Sequence, residues 1–550
     1  MTSPVPYSSD IPLADLENGT SAVAYSDGNS RWNEFSHFHP SNILANPTSL
    51  RWKMSQEDWM AYVEELGHNL TVALTPSFLQ PYVGGAGSPP AKLHAIAALD
   101  GLRGWACLLV FNFHFLFTYT WKVAVGWGFA GSNFGVHQLP FLHMLISGHI
   151  MVAIFFVISG YVLSYKPLKT IRARSYEETF TVLASSTFRR ALRLYIPSLV
   201  GLACVFVAVR LGLYNYSWGI VKEGHTIVGT NEQHPPIFGS LIKQFWDFYR
   251  TVAHLMNPFD WGLFYNNYNP HLWTIPVEFR CSIVLFITIL ATSRLVSVVR
   301  MSLVAGLIWF CMRYGRWDVV LFLCGMVMAE LDLINGTWDR SAPTAANRPG
   351  PERMLHIRLR PGDKPLVSVS RQRFWIGLFV VGLYFGSSPN LGFKWTPGYR
   401  WIWSITPSTY PEPHRFPQTI GATLIVFSIN HSPEIQKLFT NRLSQYLGKI
   451  SYAFYIVHGP ILHSLGYSIM PNIWALTGKE SNFQYCFGFF IGWCICLPVA
   501  IWAGDVFWRA VDVPSVSFAR WLEAQVMAKP SSVAGTPSLN TPRAQTPRNN

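Results

Sequence analysis

Arg103 and His114 are the two residues whose type and placement point first to chemistry. Both interrupt an apolar stretch, LDGLRGWACLLVFNFHFLFTYT (99–120), which is long enough to cross a bilayer as one helix, since about 20 apolar residues cover a ~30 Å hydrocarbon core. Eleven residues separate the pair. At 3.6 residues per turn that is about three turns, so both side chains share one face, roughly 16 Å apart along the axis. A charge or an imidazole inside a spanning segment costs a few kcal/mol or more unless it faces protein or water, so this face is expected to line a cavity. Imidazole accepts a proton near neutral pH, and an always-charged guanidinium suits a phosphate or a carbonyl. Arg103 falls near one entrance and His114 past mid-depth, which would seat an anionic donor with its reactive end at the imidazole. The plain alternative is a histidine hydrogen-bonded between helices.

Three further groups carry polar chemistry. Arg189, Arg190 and Arg193 lie three and four residues apart, so on a helix they present one cationic face; anchoring at the membrane surface is the competing reading. Glu278 opens the fourth apolar segment just after Pro276, where it would orient an imidazole or bond a hydroxyl. A pair with Arg280 is disfavoured, because residues two apart on a helix point to different faces. In the ninth segment Ser451, Tyr455 and His458 recur at i, i+4 and i+7 beside Tyr452, a second polar stripe that would contact a ligand or another helix.

The elements that must hold these residues follow from composition. Half of the 550 residues are hydrophobic, 15% are aromatic and only 13% are charged, the balance of an all-α polytopic membrane protein. The net charge of +13 is therefore read through loop placement, and no nucleic-acid partner is expected. All eight cysteines sit in or beside apolar segments and none forms a CxxC pair, so neither disulfides nor a metal site is expected.

Residues 1–54 are Ser-, Pro- and Asn-rich and are expected to be a disordered tail; 55–98 read as an amphipathic surface helix followed by a Gly/Pro linker. Residues 99–520 form the transmembrane domain and 521–550 a second disordered tail. After the first span, nine apolar segments follow: 142–165, 192–213, 272–291, 302–312, 319–334, 374–385, 420–429, 447–465 and 483–507. The count is thus about ten helices. The amino terminus lacks a signal-peptide pattern, so it is expected to stay cytosolic. Basic residues then gather on one side: Lys166 to Arg193 after the second helix, Arg340 to Arg373 after the sixth, and Arg509 to Arg548 after the tenth. The opposite loops 122–141 and 466–482 hold only Lys122 and Lys479, so both termini are expected in the cytosol.

Arg103 with His114 ten intervening residues later, inside LDGLRGWACLLVFNFH, resembles the signature of the acyltransferase-3 family of integral membrane acyltransferases. FFVISGYVLSYKP (155–167), FRRALRLYIP (188–197), HLWTIPVEF (271–279) and ISYAFYIVHGPIL (450–462) are also similar to that family and stand in its order. The chain resembles the shorter, single-domain, fungal-like members, without the hydrolase-like domain of the two-domain ones.

The resemblance implies a multi-pass protein of an endomembrane or the plasma membrane that moves an acyl group from cytosolic acyl-CoA to a hydroxyl. Acyl-CoA would be a co-substrate, with no permanently bound cofactor and no obligate protein partner. His114 would be the base that takes the hydroxyl proton; an acyl-imidazole intermediate is the alternative. Arg103, Arg189, Arg190 and Arg193 would hold the phosphates of the coenzyme. Glu278 is favoured as functional by its place in the HLWTIPVEF string; His271 and Trp273, in the same string, and Tyr452, Tyr455 and His458 are further contact candidates. Acetyl transfer to a small natural product or lipophilic alcohol is expected. Glycan O-acetylation is the alternative acceptor class, and a transporter using the same polar stripe is the alternative of a different kind.

Overall fold

The computed structural model describes residues 64, 67–83, 93, 96–232, 234–336, 354–357 and 367–527. The expected tail 1–54 and most of the expected surface helix lie outside the described residues, as does all of the expected tail 521–550 beyond 527; residues 521–526 of that tail are helical, the end of a helix that runs to Val526.

In chain order the helices are α1 (Ala97–Phe117), α2 (Gly148–Arg172), α3 (Tyr176–Arg210), α4 (Asn215–Glu223), α5 (Leu241–Leu255), α6 (Thr274–Ala291), α7 (Ser297–Arg313) and α8 (Trp317–Ile334). After them come α9 (Arg371–Gly386), α10 (Arg400–Ile405), α11 (Arg415–His431), α12 (Pro433–Phe439), α13 (Arg442–Ile461), α14 (Tyr467–Thr477), α15 (Asn482–Phe507) and α16 (Val513–Val526). A short antiparallel pair, β1 (Met354–Ile357) and β2 (Val367–Ser370), stands between α8 and α9. The core of the molecule is helix on helix.

Each apolar segment read from the sequence contains a helix, and local chemistry sets several of the starts. Asn441 caps α13 by accepting from Ser444 N at 2.9 Å, and Ser481 with Gln484 forms a capping box at α15. Among the described residues, four helical stretches are long and apolar enough to cross a membrane: Gly148–Arg172, Tyr176–Arg210, Pro270–Ala291 and Asn482–Val526.

Several expected loops are helical instead: α4 and α5 lie within 214–271 and α10 within 386–417, and two further cases bear on the site. Residues 176–191, counted in a basic loop, are the first half of α3, because Glu177 and Glu178 favour its first turn and no glycine or proline interrupts it before Pro197. Arg189, Arg190 and Arg193 therefore sit mid-helix. Likewise α13 continues through a π turn, Leu462–Gly466, into α14, across much of the expected loop 466–482. Residues 67–74 are helical and the segment after them is docked on the bundle: Ser77 N and Oγ donate to Asp505 at 3.1 and 2.6 Å, and Trp502 Nε1 donates to Leu74 O at 2.7 Å.

The contact that matters most for the site is between α1 and α13, which run side by side in register. Here the backbones nearly touch: a Cβ on Gly104 would fall 2.4 Å from Gly448 N, and one on Gly448 2.4 Å from Asp100 O. Small residues permit this approach, and no larger side chain fits without separating the helices. One turn further, Cys107 Sγ lies 3.2 Å from Ser451 O, and two turns beyond that His114 meets His458.

Candidate active site

Two polar regions lie along the α1–α13 seam. The first is a partly open cavity, about 970 Å³ of space free of protein atoms with its open mouth included, lined among others by Arg103, Arg190, Arg193, Glu278, Tyr452 and Tyr455. α1 supplies Arg103, whose guanidinium stands 3.5 Å from Asp100 one turn back. α3 supplies Arg190 and Arg193, three apart and therefore on one face. α6 supplies Glu278, which accepts from Arg190 Nη2 at 2.7 Å and from Ser159 Oγ at 2.8 Å; Arg190 Nε also donates to Ser282 Oγ at 2.6 Å. Glu278 thus faces an arginine of another helix, and Arg280 turns away to the carbonyl of Asp260. Arg189 points out of the cavity and pairs with Glu523 of α16 at 3.2 Å. Tyr452 donates to Leu194 O at 2.6 Å and joins α13 to α3.

The second region is a buried imidazole cluster. His114 of α1, His271 of the short 3-10 turn before α6, and His458 of α13 gather with ring centroids 3.9, 4.7 and 5.6 Å apart. His458 Nδ1 donates to Tyr455 O at 2.6 Å, and its Nε2 is buried without a hydrogen-bond partner. Beneath them lies Glu232, from the segment between α4 and α5. Its Oε1 is 2.9 Å from His114 Nδ1, its Oε2 is 3.0 Å from His463 Nε2, and His271 Nε2 stands 3.6 Å away. Burial would push this carboxyl up. The facing His114 and His271 rings reverse that and hold it well below the ordinary carboxylate range.

His114 is not among the residues lining the cavity, although its side chain keeps 19% of its exposure. Tyr455 connects the two regions. It lines the cavity, and its hydroxyl donates to His271 O at 2.5 Å and bonds Thr274 Oγ1 at 2.8 Å. Trp273, next in sequence, turns the other way, towards Tyr265, Trp317 and the Arg415 guanidinium. The structure therefore collects Arg103, Arg190, Arg193, Glu278, Tyr452 and Tyr455 at the cavity and His114, His271 and His458 at the cluster, and leaves Arg189 and Trp273 outside both.

Glu232 and His463 are the functional candidates that sequence reasoning passed over. Glu232 stands in a loop of mixed charge with no periodicity to single it out. His463 lies five residues past His458, off the helical stripe, and is brought round by the π turn that contains it. Its available signal was that of any histidine in an apolar segment. Among the described residues, His114, His271 and His458, or Glu232, His271 and His463, bring ligand atoms within 4.8 Å of one another and are the sets that could hold a metal ion. In the present geometry both Glu232 oxygens are already engaged by imidazole nitrogens, which a cation would have to displace.

Apolar helices of spanning length around an internal cavity edged by guanidiniums, with an imidazole cluster beyond it, define a membrane-associated helical protein. The chain belongs to the acyltransferase-3 family: the family model described as an acyltransferase domain matches residues 96–509. O-acetyltransferase PaAT-1 of Phomopsis amygdali is 32% identical over 445 residues, covering 78% of this chain and 84% of the relative. Acyltransferase R4 of a Phoma species is 26% identical over 470 residues, covering 78% and 95%. Acyltransferase clz18 of Cochliobolus lunatus is 24% identical over 458 residues, covering 76% and 93%. No solved structure matches the chain.

Proposed function

We propose that this chain is a multi-pass membrane O-acetyltransferase that moves the acetyl group of acetyl-CoA, entering from the cytosol, to a hydroxyl of a small natural product. The observation that carries the reading is the seam itself. A cavity edged by Arg103, Arg190 and Arg193 lies at one end of α1, and His114 lies three turns along the same helix. Acetyl-coenzyme A carries a pyrophosphate, a 3′-phosphate and a long flexible arm that ends in the thioester. Fixed guanidiniums suit the phosphates, and the arm would reach along the seam past Tyr455. The name of the relative PaAT-1 supports acetyl as the group transferred.

In the transfer, His114 Nε2 takes the proton of the acceptor hydroxyl while its oxygen attacks the thioester carbonyl. The new C–O bond forms, the C–S bond breaks, and the departing thiolate recovers the proton from the imidazolium. Atoms and charge balance without a further reagent. About ten helices with both termini cytosolic would place the Arg103 end of α1 towards the cytosolic donor.

The test uses the full chain in lipid nanodiscs with acetyl-CoA and the alcohol fraction of a host strain lacking the chain. Free thiol release together with an acetylated product supports the proposal. Movement of solute into sealed proteoliposomes bearing the chain, without thiol release, contradicts it.

A further inference from the structure

Glu232 contributes nothing to the cavity, comes from outside every apolar segment, and yet lies within 3.6 Å of three imidazoles. A carboxylate that is 7% exposed among apolar helices is costly unless its charge is matched and its oxygens are bonded. The bonding is supplied here by histidine: Oε1 takes His114 Nδ1 and Oε2 takes His463 Nε2.

The chain holds Glu232 there from two directions. Upstream, Val228 N and Gly229 N donate to Thr118 O, just past the end of α1, at 2.8 and 3.2 Å. A Cβ on Gly229 would fall 2.8 Å from Phe117 O, so the segment can lie this close to α1 only with glycine at that position. Downstream, the π turn Leu462–Gly466 swings His463 onto the carboxylate, off the face that a regular helix would give it. A surface segment is thereby fastened across the end of α1 with its one acidic side chain turned inward.

We propose that Glu232 is the positioning residue for His114, with His463 as the strut that holds Glu232. Resting on the reading of His114 as base, the assignment names what prepares that base. A carboxylate at Nδ1 fixes the proton there and leaves the Nε2 lone pair for the acceptor hydroxyl. It also offsets the positive charge that appears on the ring once the proton is taken, which matters most where the surroundings are apolar. His271, whose Nε2 makes no hydrogen bond and stands 3.6 Å from the same carboxylate, closes the other side of the His114 ring.

The test compares wild type, Glu232→Gln, Glu232→Asp, His463→Gln and His114→Ala as full chains in nanodiscs, with acetyl-CoA and the alcohol fraction described above. Glu232→Gln is expected to lower kcat by about a hundredfold or more while the KM for acetyl-CoA stays unchanged. Glu232→Asp, which keeps the charge, is expected to recover part of the loss. His463→Gln, whose amide can still donate to Glu232, is expected to lose about tenfold or less. Wild-type kcat in Glu232→Gln overturns the assignment, as does a loss that tracks thermal unfolding and is not relieved by Glu232→Asp. Neither result touches His114 as base. An active His114→Ala overturns the base itself and is recognised separately.

Discussion

The cationic cavity and the imidazole cluster are built in opposite ways although they share two helices. At the cavity the charges come from regular positions on long helices and are matched between neighbours, Arg190 with Glu278 and Arg103 with Asp100. At the cluster, three imidazoles converge on one carboxylate supplied by a loop, with His458 packed against two of them, and His458 Nε2 and both nitrogens of His271 are left without hydrogen bonds. Matched charges around open space suit the holding of a charged ligand, because a guanidinium can exchange a partner for a phosphate. Unmatched polar nitrogens in a buried cluster suit the movement of a proton. Under the proposed function, binding falls to one region and reaction to the other, and that division is open to attack from both sides.

The largest effect is expected at the cluster. His114→Ala should lower kcat by about a thousandfold, within the range for a lost general base, while acetyl-CoA still binds. Initial rates of thiol release check the first part. Next comes the seam. Gly448→Val should separate α1 from α13, since even a Cβ there meets Asp100 O at 2.4 Å, and activity should fall together with the unfolding temperature measured in detergent. Third is the cavity: Arg103→Gln should raise the KM for acetyl-CoA by about tenfold to a hundredfold with little change in kcat, because a hydrogen bond to a charged group contributes roughly 1.5–3 kcal/mol. A fall in kcat with unchanged KM would erase the division between the two regions.

Glu278 sharpens the comparison further. Its partner is Arg190, not an imidazole, so Glu278→Gln should weaken donor binding and lower the unfolding temperature, with less effect on kcat than Glu232→Gln has. The smallest effect is expected at Arg189. Its ion pair with Glu523 lies outside the cavity, so Arg189→Gln should cost about 1 kcal/mol or less in stability and leave the KM for acetyl-CoA where it was.

How much of this was legible in the sequence divides along the same line. The helices were legible because apolar length and a period of 3.6 are properties of consecutive residues. For the same reason Arg103, Arg190, Arg193 and the Tyr455–His458 stripe could be placed on faces. Glu232 could not, since its role depends on two backbone hydrogen bonds to Thr118 and on a π turn 231 residues away in the chain. The first half of α3 reads as loop because its basic residues mimic a membrane-side cluster, whereas the acidic first turn and the lack of any glycine or proline before Pro197 let the helix run through. Arg189, Arg190 and Arg193 look equivalent in one dimension. Only the positions of α6 and α16 show that two face the cavity and one faces Glu523.

The division of labour between Arg103 and His114 is tested most directly by one paired measurement: equilibrium binding of labelled acetyl-CoA alongside single-turnover transfer, for wild type, Arg103→Gln and His114→Ala in nanodiscs. The account predicts that His114→Ala binds acetyl-CoA like wild type and transfers nothing, and that Arg103→Gln binds weakly but transfers when saturated. Transfer by His114→Ala, or undiminished binding by Arg103→Gln, would contradict it.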